Sequence, residues 1–164
     1  MILYLILAAA LLAADQWVKA WTVAAFSSPV APFTVTDDAM QPFLPGILEL
    51  TRVHNYGAAW SSFSGMRWVL VAVTSVIVLA VAMLLAKKIV RHPLGRLACA
   101  LVLSGGLGNI IDRVRLGYVV DMFHFPFWPS YPVFNVADIC VVSGAILGVI
   151  YYLWFYEKYD KVRK

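Results

Sequence analysis

Polar positions interrupt this chain rarely, and they do so in short runs. Residues 1–26 are apolar apart from Asp15, Gln16 and Lys19, and three further apolar stretches follow at about 68–86, 94–111 and 136–156. A helix needs roughly 20 predominantly apolar residues to cross a bilayer, so each stretch predicts a transmembrane helix. Met1 to Ala14 ends in small residues in the manner of a cleaved leader. No Lys or Arg precedes it, however, and the apolar pattern resumes at Trp17, Val18, Ala20, Trp21 and Val23, so the segment reads as a span.

The two long connections have a different character. Residues 27–67 are punctuated by Pro29, Pro32, Pro42, Pro45 and Gly46, while Ile47 to Val53 have the branched, partly alternating pattern of a strand. Residues 113–135 contain the aromatic, proline-rich run Met122 to Phe134, which suits the headgroup level of a membrane. The expected fold class is therefore membrane α-helical: four transmembrane helices with a small extracytoplasmic β-sheet and a surface loop or helix. Residues 1–164 read as a single integral membrane domain.

Composition narrows the class further. Hydrophobic residues make up 62% of the chain and charged ones 13%, against about 25% charged in soluble domains. A disordered tail, a collagen and an ordinary cytosolic enzyme are excluded. The net charge of +4 comes from basic residues gathered in two places, Lys87, Lys88, Arg91 and Arg96 in one loop and Lys158, Lys161, Arg163 and Lys164 in the tail. Clusters that flank apolar segments report topology rather than nucleic-acid binding. Both termini then lie in the cytoplasm, and 27–67 and 113–135 face outward. Cys99 and Cys140 sit in apolar stretches as packing residues, and His54, His92 and His124 are scattered. Neither a disulfide framework nor a metal site is expected.

Ionisable groups at or inside spans are costly and point to function. Asp15, Asp112, Asp121 and Asp138 qualify, accompanied by Asn109, Arg113 and Asn135. On a helix Asn109, Asp112 and Arg113 share one face, and Ala100, Ser104 and Gly108 form a small-residue stripe that lets another helix approach. The outward connection can bring Asp121 and Asp138 to the same membrane face. Paired carboxylates that share a proton can activate water, one as base and the other as acid. Other readings stay open: Asp138 as a helix cap, an interfacial network of Asp112, Arg113 and Arg115, or a proton-coupled transporter built on intramembrane carboxylates. His124 reads as a surface histidine rather than a modulator of Asp121. Trp60, Trp68 and Trp128 read as interfacial anchors.

Five blocks carry a resemblance: Asp15-Gln16, Asn55 to Trp60, Gly105 to Arg113, Gly117 to Met122, and Phe134 to Asp138. In order and spacing they resemble bacterial lipoprotein signal peptidase, signal peptidase II. Met122 departs from the phenylalanine common after the catalytic aspartate. The resemblance implies an aspartic endopeptidase of the bacterial cytoplasmic (inner) membrane, its site facing the periplasm or exterior. It would remove the signal peptide of prolipoproteins, cutting before the lipid-modified lipobox cysteine. It implies a catalytic dyad of Asp121 and Asp138, with Asn55, Gly57, Asn109, Arg113 and Asn135 holding substrate or a peptide antibiotic such as globomycin, and Asp15 and Asp112 in support. No cofactor is implied, and the expected partners are prolipoprotein and membrane lipids, with the protein itself a monomer. A non-catalytic lipoprotein-binding protein is the remaining alternative.

Overall fold

A computed structural model describes residues 1–26, 29 and 40–161. Pro32 of the first connection and Arg163 and Lys164 of the tail lie outside the described residues. Among the described residues, four helices are long and apolar enough to cross a membrane. They are α1 (Ile2–Ala25), α2 (Arg67–Ala86), α3 (Pro93–Arg115) and α4 (Val136–Tyr151), the last continued by a π-helical turn (Tyr152–Tyr156) and a final turn (Glu157–Tyr159). Helix α3 runs four residues past the expected end at Ile111, so Asn109, Asp112 and Arg113 share one helix as their spacing predicts, and the outward connection starts after Arg115 rather than at Arg113. Val69, Val73, Val76, Ile77 and Leu79 of α2 are exposed. Such a surface is tolerated only against hydrocarbon, where a helix has already satisfied its backbone groups internally.

Helix α3 is the hub, packing on α1, α2 and α4. Its small residues make this possible. A Cβ at Gly105 would collide with the backbone carbonyl of Ala137 in α4, and one at Gly108 would lie 2.5 Å from Asp15 Oδ2 of α1. The helix starts at Pro93 after His92, whose side chain accepts from Leu94 N–H. At the same end Asp160 accepts the backbone N–H groups of Arg91 and His92 and the hydroxyl of Tyr151. That contact ties the tail to the α2–α3 loop.

At the opposite end lies a three-stranded antiparallel sheet of β1 (Gln41–Leu44), β2 (Leu48–Asn55) and β3 (Val119–His124), in that spatial order. Gly46, with φ +73°, makes the β1–β2 turn. The third strand corrects the expectation that 113–135 is only an aromatic connection. Val119, Val120, Asp121, Met122 and His124 are all buried, so both faces of β3 are covered and the alternation that betrays a half-exposed strand is missing. Phe26, Leu50, Val120 and Met122 form the apolar cluster that seats the sheet on the helices. In register, Val53 pairs with Asp121 and Asn55 with Val119. Sheet pairing therefore fixes Asp121 beside Asn55.

Candidate active site

The site is built where β3 meets the start of α4. Asn135 caps α4: its side-chain oxygen accepts the Asp138 N–H at 2.8 Å, and Asp138 Oδ2 accepts the Asn135 N–H at 3.1 Å. This reciprocal box satisfies two otherwise orphaned donors at a helix start. The amide of the same asparagine reaches outward, donating to Asp121 Oδ1 at 2.6 Å. One residue thus links the two aspartates. The expected cap falls on Asn135 rather than on Asp138, which takes the N3 position of the box, and the same capping geometry sets the direction of the Asp138 carboxylate.

Each carboxylate receives a second donor. Asn55 Nδ2 donates to Asp121 Oδ2 at 3.0 Å, and Asn109 Nδ2 donates to Asp138 Oδ1 at 2.8 Å. Asp121 is 1% exposed. Burial pushes its carboxyl well above the ordinary carboxylate range, and the neighbouring negative charge of Asp138 pushes it further; the Asn55 and Asn135 hydrogen bonds and the charge of Lys19 pull the other way. An elevated carboxyl beside another acid is what a pair sharing one proton requires.

The two aspartates line a cavity of about 230 Å³ together with Asn55, Asn109 and Arg113. Its other walls are apolar, among them Phe134, Val141 and Val142. Arg113 donates to the Gly57 carbonyl at 2.7 Å, and its Nε is buried with no hydrogen-bond partner among the described residues. Gly57 is held in turn by its own N–H donating to Asn55 Oδ1 at 2.9 Å. A Cβ there would fall 2.5 Å from the Ser62 carbonyl oxygen. Trp60 Nε1 donates to the Ser130 carbonyl at 3.2 Å, joining the two long connections.

Asp15 and Asp112 stand apart from the cavity, in a buried cluster behind it. Asp15 Oδ1 accepts the Ala137 N–H at 2.8 Å, and Asp112 Oδ2 accepts the Val120 N–H at 3.2 Å. Each carboxylate therefore anchors the backbone next to one member of the pair. Asp112 pairs with Lys19 and Gln16 and not with Arg113 or Arg115, which corrects the interfacial-network reading. His124 is buried and faces Glu49 at 3.3 Å, so it is neither a surface group nor a partner of Asp121. Trp60, Trp68 and Trp128 are exposed, as interfacial residues are. A lysine four residues after Asp15 inside an apolar span is expected to pair with it, and Lys19 does so at 2.9 Å; the sequence did not show that Gln16 and Lys19 also reach Asp112 and that Lys19 reaches Asn109.

Four membrane-length helices among the described residues, with a small sheet at one end and the buried Asp121 and half-buried Asp138 held by one asparagine, define a polytopic membrane protein. A family model described as "Signal peptidase (SPase) II" matches residues 7–154, and the chain belongs to that family of membrane peptidases. A lipoprotein signal peptidase of Latilactobacillus sakei is 40% identical over 89% of this chain and 90% of its own, and one from Clostridium acetobutylicum is 45% identical over 73% and 79%. Among solved structures, one described as a bacterial membrane enzyme determined by the in meso method at 2.3 Å superposes with a TM-score of 0.79 at 27% identity, covering 100% of this chain and 94% of that one. A second, described likewise at 1.9 Å, gives 0.77 at 28% identity, over 94% and 95%.

Proposed function

We propose that the protein is an aspartic endopeptidase that removes the signal peptide from lipid-modified prolipoproteins, cutting before the diacylglyceryl-cysteine with water activated by Asp121 and Asp138. The observation that carries this reading is Asn135, which holds both carboxylates from one side chain and one backbone N–H. With one proton between them, the ionised carboxylate takes a proton from water while the protonated one donates to the scissile carbonyl oxygen. Collapse of the tetrahedral intermediate returns a proton to the leaving amine. No covalent enzyme intermediate forms, and the pair titrates as a unit.

Arg113 and Asn55 suit the substrate backbone, the first because its Nε retains an unused donor, and a buried unpaired N–H is costly until a ligand meets it. The same donors suit a backbone-rich peptide antibiotic such as globomycin. The cavity's apolar wall supports sideways entry: Val142 lines it and is also exposed toward the lipid-facing surface of α4. A diacylglyceryl chain can then stay in hydrocarbon while the peptide reaches the carboxylates. The basic clusters at the opposite end support an inner-membrane topology with cytoplasmic termini and an outward-facing site. The helices and site lie within one chain, in keeping with a monomer.

The reading is tested by incubating purified protein with a prolipoprotein, with and without the diacylglyceryl group, and weighing the products by mass spectrometry. The expected product begins at the lipid-modified cysteine, and the unmodified precursor stays intact. Cleavage elsewhere, or equal cleavage of both precursors, would refute it.

A further inference from the structure

Lys19 sits in α1 with 3% exposure. Its ammonium lies 2.9 Å from Asp15 Oδ2 and 3.0 Å from Asp112 Oδ2, and it also donates to Asn109 Oδ1 at 3.0 Å. An ammonium has donors and no acceptor, so the Asn109 atom facing it must be the amide oxygen. Asn135 Nδ2 donates to that same oxygen at 3.2 Å. The other end of the Asn109 amide is then NH2, and it is the end that meets Asp138 Oδ1. Inverting this amide would set its NH2 against two donors and its oxygen against a carboxylate.

We propose that Lys19 is a positioning residue that locks the Asn109 amide so that Asp138 always meets a donor and is held as the carboxylate of the pair. This rests on the dyad reading above. Lys19 touches no reacting atom; it acts through Asn109, one hydrogen bond from Asp138. The charged groups facing this relay are Asp15 on α1, Asp112 and Arg113 on α3, Asp121 on β3 and Asp138 on α4, with Arg115 beside Lys19 on the wall of a neighbouring cavity. Among them only Lys19 donates to the Asn109 side-chain oxygen.

The test compares Lys19→Arg, Lys19→Met and the pair Asp112→Asn and Lys19→Met/Asp112→Asn, with Asp138→Asn alongside. Lys19→Met alone leaves two buried carboxylates without their ion-pair partner and is prone to unfold. The double variant removes one positive and one negative charge, so the cluster keeps its balance. An arginine has room to turn because the cavity of about 280 Å³ bordered by Gln16, Ala20 and Val23 adjoins the site. For the double variant against Asp112→Asn, kcat should fall about tenfold with KM within about threefold, and the acidic limb of the kcat profile should move up by about one pH unit. Lys19→Arg should keep the parent's profile and most of its kcat. Identical profiles for the double variant and Asp112→Asn would overturn the proposal, as would a loss in Lys19→Arg equal to that in Lys19→Met. Full activity in Asp138→Asn would instead sink the dyad reading, whereas an inactive Asp138→Asn with unmoved Lys19 profiles would sink the positioning role alone.

Discussion

Asp15 accepts the backbone N–H of Ala137 at 2.8 Å, tying the first helix to the opening turn of the last across 122 positions. Ala137 lies between Asn135 and Asp138, so this bond sets the seat of α4 and with it the direction of the Asp138 carboxylate. Asp15→Ala would strand the Ala137 N–H and deprive Lys19 of a partner in a cluster almost closed to solvent. Breaking a buried pair of this kind costs about 3–5 kcal/mol. Thermal unfolding in detergent should show a clearly lowered midpoint for Asp15→Ala and a smaller drop for Asp15→Asn, which keeps an acceptor oxygen. Equal midpoints for parent and Asp15→Ala would contradict this.

Asn135 combines a structural and an alignment role, and Asn135→Ala should separate them. Loss of the cap alone costs about 1 kcal/mol, which a folded membrane protein tolerates. Loss of the bridge leaves Asp121 and Asp138 without their shared anchor, and turnover should fall by about 100-fold or more, in the range general acid–base alignment supplies. Steady-state kinetics with a thermal melt on the same sample checks both parts. A variant that melts lower yet turns over normally would show that the bridge is only a cap.

Gly57 tests the substrate side of the cavity. Any side chain there meets the Ser62 carbonyl at 2.5 Å, and the loop cannot shift without moving the carbonyl that Arg113 holds. Gly57→Ala should lower kcat/KM by about tenfold while barely changing the melting midpoint, because the loop lies outside the helix bundle. Unchanged kinetics would mean that this loop does not shape the binding surface.

The elevated Asp121 carboxyl makes stability depend on pH. Burial and the charge of Asp138 keep a proton on the native state that the unfolded chain has already released. With more protons bound when native, stability falls as pH rises. The contribution is whole below the ordinary aspartate value of about 3.9 and is lost as pH climbs through the higher native value. The parent's melting midpoint should therefore decline from about pH 4 toward neutrality more steeply than that of Asp121→Asn. Parallel curves would contradict the assignment.

Much of the fold was legible because lipid imposes a simple rule on sequence. Long apolar runs announced all four helices, and Ile47 to Val53 announced the strand that became β2. The third strand was hidden because Val119 to His124 is buried on both faces, so no alternation marks it. The polar residues of the site were visible one by one, since Asp138, Asn109 and Asn135 stand out in apolar surroundings. Their assembly was not visible. That Asn135 faces Asp121 and that Lys19 faces Asn109 depend on helix rotation and side-chain direction, which spacing along one chain does not fix. The burial of His124 against Glu49 has the same origin, a cross-strand pairing in a sheet whose third strand the pattern concealed.

In the proposed mechanism Asp121 and Asp138 together activate water. The most direct measurement is the cleavage rate of a diacylglyceryl-modified prolipoprotein by the parent, Asp121→Asn and Asp138→Asn, each shown by thermal melting to be folded. The parent should cut and each folded variant should be inactive, because neither half of a proton-sharing pair works alone. Turnover near the parent's rate in either folded variant would contradict it and place the chemistry elsewhere.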